Sequence, residues 1–485
     1  MKKVILFLLV ISGFVFGQNI KLAEDLYYSY ENYREESLSH RRIKHSDIIP
    51  LIEQIKVNKD FTVTKVGESV EKRDIYLINW GEGKRKIFLW SQMHGDEPTA
   101  TMALFDIFNF LSSENNFKEE KQKLREELTI YFMPMVNPDG AERYQRRNVY
   151  EIDINRDALR LSTPEGRILM NTFDNLKADF GFNLHDQSSN LTSGQTFKTA
   201  SISFLAPAFN KERSYNETRE NAGKVISVMT QILNIFAPGH IGKYSDEFEP
   251  RAFGDVFQSK GTATILIESG GWKGDPERQF VRKLNFIAMI SAFYSIAEAS
   301  YKSTELSIYE NLPENERYLY DIILRNITIK ENDKEYLSDL AFMINERQSD
   351  SERGFILNTV LSDKGDLSTF YGNEDFDFSG LTAEAGTLYP EEIKSEAELA
   401  NLDVFQILTS GYTAARIGWK RSAEKNESLI EILEPDKEPR ITNPFKHGSK
   451  PNFIFTKDNE VFYAFINNRL IDVRKKTVIF SPDKK

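Results

Sequence analysis

Three side chains in this sequence are of the kind that binds a metal ion, and a fourth is of the kind that moves a proton beside one. His94 and Glu97 stand three residues apart in KIFLWSQMHGDEPTA, where an apolar strand runs into a turn and then a helix, so both can reach one ion. A His-x-x-acid pair arises about once by chance in a chain with few histidines and many acids, so the spacing alone says little. Position says more, because open α/β sheets place their ligand sites where strands end. His185 closes a second apolar strand, in FGFNLHDQ. The chain has no cysteine, so any metal must be held by nitrogen and oxygen. Two histidines and one carboxylate, with one position left for water, is the usual make-up of catalytic zinc. Glu268 ends the almost wholly apolar run TATILIESGGW, where burying an acid is costly. Such a carboxylate caps the following turn, or it takes a proton from a metal-activated water and returns it to a leaving group.

A fourth segment, NPDGAERYQRRNVYEIDINRD, lies between these elements. Asn137-Pro138-Asp139-Gly140 is a turn sequence. Arg146, Arg147, Asn155 and Arg156 then cluster in a chain whose formal net charge is −11. Such a run is either a solvated face or a site for a substrate carboxylate, whose two oxygens match an arginine fork.

The elements that must position these residues alternate. Short β-rich runs at Phe61–Val66, Asp74–Asn79, Lys86–Gln92, Thr129–Val136, Phe180–His185 and Thr262–Glu268 are separated by amphipathic helical stretches at Pro98–Leu111, Pro164–Leu176, Glu212–Phe236 and Pro276–Ala299. This predicts an α/β fold with a mixed, mostly parallel sheet sandwiched by helices. Residues 18–60 read as a polar, helical lead-in to a catalytic domain over 61–304. From 305 to 485 the helical period fades. Strand-like runs such as Tyr320–Ile327, Gly354–Val360, Asp403–Leu408, Phe453–Phe455 and Val461–Ile471 predict a β-rich accessory region of one or two modules, with no zinc ligand. Lys2, Lys3 and the apolar stretch from Val4 to Phe16, ending at Gly17-Gln18, have the pattern of a secretory signal peptide over 1–17. No later stretch reads as long and apolar enough to span a bilayer, so the expectation is an exported protein, periplasmic or secreted. The acidic balance argues against nucleic acid as a partner.

His94-x-x-Glu97, the Asn-Pro-Asp-Gly turn, Arg146-x-Asn148, Asp153-x-Asn155-Arg156, His185 and Glu268 occur in the order and approximate spacing of the zinc metallocarboxypeptidases, and residues 60 to 300 resemble that family. The resemblance implies one Zn²⁺ held by His94, Glu97 and His185, with Asp153 steadying His94. It implies Glu268 as general acid/base and Arg146, or Arg147 one residue on, as the arginine that polarises the scissile carbonyl. It further implies Asn155 and Arg156 as the grip on a free C-terminal carboxylate, Tyr244 as the mobile tyrosine, and a peptide or peptide-like substrate. Asp157 stands where many digestive members have asparagine, and Phe253 and Asp255 fall near the side-chain pocket. Two other readings remain: a related zinc amidase or deacylase acting on cell-wall peptide stems or N-acyl amino acids, and a metal-free binding protein on the same fold.

Overall fold

A computed structural model describes residues 17–482 except 115, 332, 350–352, 421–427, 436 and 438–442. The stretch read as a signal peptide therefore lies, but for residue 17, outside the described residues. The chain divides into two compact units between Arg317 and Tyr318.

The first unit is built on an eight-stranded mixed sheet. Its strands are β1 (Phe61–Glu68), β2 (Asp74–Trp80), β3 (Arg85–Ser91), β4 (Leu128–Met133) and β5 (Phe180–Asp186), then, beyond a two-residue strand β6 (Thr192–Ser193) outside this sheet, β7 (Ile202–Leu205), β8 (Ile241–Lys243) and β9 (Ala263–Ser269). Their order is β1-β2-β4-β3-β5-β9-β7-β8. The centre, β4-β3-β5-β9, is parallel throughout. Central strands buried on both faces carry a period of two that sorts side chains between two cores. Ile87 and Leu89 of β3, Phe180, Phe182 and Leu184 of β5, and Ile265 and Ile267 of β9 pack with helices Thr99–Ser112, Glu217–Phe236 and Gln279–Ala297. Phe88 and Trp90 face the other way, toward helices Pro164–Leu176 and Phe253–Ser259. His185 and Glu268 have the parity of this second face.

Helix Gln279–Ala297 corrects one expectation. It is long and apolar enough to cross a membrane by length and composition, with a mean hydropathy of 1.2, yet 83% of that window is buried inside the protein. It is the central helix of the larger core. Its Arg282 forms a fully buried ion pair with Asp106, which also accepts from the Tyr30 hydroxyl and the Glu35 backbone. The lead-in is thereby part of this unit: Leu22, Leu26, Tyr30, Tyr33 and Ile52 join the same core.

The domain boundary expected at residue 304 falls instead after Arg317. The physical reason is Tyr309, which is completely buried and whose hydroxyl accepts from Ala206 N at 3.0 Å. Asn315–Glu316 (β10) then pairs with β6. The second unit is β-rich, with a sheet that includes the long strands β11 (Leu319–Glu331), β12 (Lys334–Gln348) and β13 (Phe355–Gly365). The run Asp403–Leu408, read as a strand, lies mainly in a helix, Val404–Thr409. Asp403 caps it by accepting from Gln406 N, and Ile407 and Leu408 are buried. A short apolar run has no period long enough to tell the two apart.

Candidate active site

His94 and Glu97 sit in the loop leaving β3, which the Asn137–Gly140 turn holds in place. Asn137 N donates to Gln92 O, and its side-chain amide donates to Met93 O. Gly95 lies so close to this turn that a Cβ there would be 2.0 Å from Gly140 C, which excludes any other residue. Asp139 is wholly buried and serves the frame, accepting from Ser69 Oγ and Glu71 N and pairing with Arg73.

His185 and Glu268 are register partners on β5 and β9, so both point from the same face at the carboxyl end of the sheet. His94, Glu97 and His185 offer ligand atoms that all lie within 4.8 Å of one another, and they are the one such group among the described residues. The two histidines face each other through Nδ1 at 3.1 Å, and Glu97 reaches them at 2.8 and 2.7 Å. Ligands on ~2.0–2.2 Å bonds to one tetrahedral ion lie about 3.3 Å apart, so the donor atoms fit a single zinc. Nδ1 can serve as a ligand only if Nε2 carries the proton. Asp153 Oδ1 accepts from His94 Nε2 at 3.1 Å, which favours that tautomer. Burial pushes the Asp153 carboxyl up, but the His94 hydrogen bond and charge and the Arg146 guanidinium outweigh it and hold the group below the usual range.

Arg146 lies against this cluster. Its Nε donates to Asp153 Oδ2 at 3.1 Å, and its Nη1 is 3.0 Å from Glu97 Oε1 and 3.1 Å from His94 Nδ1. Arg147 turns away and donates to Glu151 O. Burial, with the nearby charges of Glu97 and Asp186, drives the Glu268 carboxyl well above its ordinary value. Glu268 in turn pushes the Tyr244 phenol up to about 12, with burial adding to it.

Asn155 and Arg156 follow Asp153 in a short helical turn that Asp153 caps through Asn155 N. Asn155 Oδ1 accepts from Phe253 N at 3.0 Å, and Nδ2 is 3.5 Å from His185 Nε2, so the side chain ties this turn to helix Phe253–Ser259 and to the cluster. The Asp157 carboxylate is taken up elsewhere than by its neighbour Arg156. It accepts from Ser162 N, Thr163 N and Thr163 Oγ1 at the start of helix Pro164–Leu176. The carboxylate beside Arg156 is Glu249, with Oε2 3.3 Å from Arg156 Nε. Asn148 shapes the intervening loop by accepting from Tyr150 N and Ile152 N.

Three groups at the site had no motif to announce them. Asp186 accepts from Thr99 Oγ1 at 2.6 Å, fastening the end of β5 to the helix after Glu97, and burial raises its carboxyl to about 6. Arg278 donates to Ser269 O at 2.6 Å and Gln187 O at 2.9 Å, stapling the ends of β9 and β5. Glu249 is the third. Of the three, Asp186 alone has a local signal that could have found it, its place directly after His185.

Residues 51–201 match the model of a family described as zinc carboxypeptidase. The match takes in His94, Glu97, Arg146, Asp153, Asn155, Arg156 and His185, while Tyr244 and Glu268 lie beyond it. A probable carboxypeptidase 2 of Trichophyton verrucosum is 28% identical over 115 residues, 23% of this chain and 21% of that protein. Carboxypeptidase SOL1 of Arabidopsis thaliana is 26% identical over 156 residues, 27% of this chain and 31% of that one. The chain thus spans about a fifth to a third of the length of these curated relatives. Among solved structures, bovine thrombin-activatable fibrinolysis inhibitor aligns at TM-score 0.44 and 16% identity, covering 56% of this chain and 100% of its own. A Pseudomonas aeruginosa metallo-carboxypeptidase, solved with (2-guanidinoethylmercapto)succinic acid, aligns at 0.43 and 17%, covering 53% and 69%.

Proposed function

We propose that the protein is an exported zinc metallocarboxypeptidase that removes the last residue from peptides ending in a free carboxylate. The observation that carries this is the meeting of four side chains from three strand ends: His94, Glu97 and His185 converging on one point, with Glu268 directly across from His185. A zinc held there would supply Lewis-acid polarisation and lower the pKa of water toward ~7. The chain's own residues do the rest. Glu268, buried and raised, accepts a proton from the attacking water and delivers it to the departing amine. Arg146 exchanges its contact with Glu97 for the scissile carbonyl oxygen and steadies the charge that grows there. Tyr244 closes over the substrate from the Glu268 side. Arg156, with Asn155 holding its turn against helix Phe253–Ser259, meets the terminal carboxylate.

One observation favours a second reading, a zinc amidase or deacylase without a strict need for a free end. A carboxylate, Glu249, already stands beside Arg156. Zinc content of the purified protein, followed by mass spectrometry of peptides offered as free acids and as amides, separates the readings. Zinc bound one to one with cleavage of free acids alone supports the carboxypeptidase. Equal cleavage of both forms gives the lead to the amidase, and absence of zinc removes both.

A further inference from the structure

Glu249 belongs to a small, well-anchored device rather than to a loose surface. Its backbone N donates to Asp255 Oδ1 at 3.0 Å, and its backbone O accepts from Ala252 N at 2.9 Å. Two residues on, Arg251 O accepts from Ala158 N, which ties this segment to the loop that follows Arg156. The Glu249 side chain lies between two arginines. Arg251 takes it bidentately, Nε at 2.9 Å and Nη2 at 2.7 Å, while Arg156 Nε approaches at 3.3 Å. The Arg251 hydrogen bond is also the main reason the Glu249 carboxyl sits at about 2, so the group is charged under all ordinary conditions. Arg156 Nη1 donates to Asn155 O at 2.8 Å, and among the described residues no partner takes its Nη2.

We propose that Glu249 is a specificity residue, an internal carboxylate that shares Arg156 with the substrate's terminal carboxylate and so sets how strongly free-acid ends are preferred over neutral ones. This rests on reading Arg156 as the group that meets the end of the substrate. A negative charge 3.3 Å from a guanidinium weakens its pull on a second anion. Arg251 is the counterpart, because it keeps Glu249 paired once a substrate takes over Arg156, and it holds Glu249 back from pairing more closely in the meantime. The two arginines are 39% and 57% exposed, so solvent screens the effect to that of a rim pair. Removing Glu249 should therefore sharpen the preference by about 2- to 5-fold, not by orders of magnitude.

The test reads binding rather than turnover. Zinc-loaded full-length protein carrying Glu268→Gln is titrated calorimetrically with N-acetyl-alanyl dipeptides having apolar, acidic or basic last residues, each as acid and as amide. The quantity compared is the ratio of amide to acid Kd. Adding Glu249→Gln should raise that ratio about 2- to 5-fold by tightening the acids alone. Adding Arg251→Gln should lower it, because Glu249 then turns fully to Arg156, and it should do little once Glu249 is already Gln. Adding Arg156→Ala should abolish it. If Arg156→Ala abolishes the ratio while Glu249→Gln leaves it unchanged or lowers it, the role of Glu249 is overturned and the carboxypeptidase reading stands. If the parent protein shows no preference and Arg156→Ala changes nothing, the reading itself fails and takes the inference with it. Should Glu249→Gln fold poorly, Arg251→Gln decides alone, since a ratio that does not fall is also an overturning result.

Discussion

Asp153 joins the metal cluster to the arginine that lies against it, so its replacement should be felt first in metal affinity. Oδ1 accepts from His94 Nε2 at 3.1 Å and from Asn155 N at 2.9 Å, while Oδ2 takes Arg146. Partners of this kind are worth roughly 10- to 100-fold in metal affinity. Asp153→Asn keeps the shape, the cap on the Ile154–Arg156 turn and a carbonyl acceptor, but loses the charge. A charge-assisted hydrogen bond exceeds a neutral one by about 1 kcal/mol, so asparagine should cost about 5- to 10-fold. Asp153→Ala removes all three contacts and leaves His94 free to adopt the wrong tautomer, so it should approach 100-fold, or ~2.7 kcal/mol. Competition with a chromophoric zinc chelator measures these affinities, and the melting temperature of the metal-free proteins shows whether the fold itself has changed. If alanine binds zinc as tightly as aspartate in a protein of unchanged metal-free stability, Asp153 does not orient His94. An alanine variant that binds more tightly than asparagine would refute the reasoning equally.

Glu268→Gln should lower kcat by roughly 10²–10⁴ with zinc still bound, and near-normal turnover of the metallated variant would remove Glu268 from proton transfer. Burial raises the Asp255 carboxyl to about 7, so the folded protein keeps a proton there that the unfolded chain gives up near pH ~4. The stability tied to this group is then complete below pH ~4 and is lost as the pH rises through about 7. Asp255→Asn, which mimics the protonated form, should raise the melting temperature at pH 8 and barely change it near pH 4; equal effects at both would show that the group does not titrate in that window. Asp106→Ala strands the buried Arg282 charge and should cost about 3–5 kcal/mol in denaturant unfolding. A loss below about 1 kcal/mol would mean that water reaches the site.

Much of the site was legible because local chemistry carries it. The period of two along FGFNLH and ATILIE by itself assigns His185 and Glu268 the parity opposite to the Phe182 and Ile265 core, and an acid or histidine closing such a run is conspicuous. The three-residue step from His94 to Glu97 and the Asn-Pro-Asp-Gly turn are likewise local, and so is the choice of nitrogen and oxygen ligands in a chain without cysteine. What the chain's order alone could not decide is which strand ends become neighbours. The pairing of His185 with Glu268 comes from the crossover that places β9 beside β5, and nothing within either strand encodes that choice. The meeting of Gly95 with Gly140, and of Glu249 with Arg156, depends on loops that the sheet brings together. The same limit applies to Asp157, which is next to Arg156 in the chain yet spends its carboxylate on Ser162 and Thr163. It explains the domain boundary as well, since the burial of Tyr309 within the first unit is invisible in a segment where the helical period has faded. Residue types and their periods are properties of neighbours along the chain, whereas a charge finds its partner through space, and only the packed sheet sets that distance.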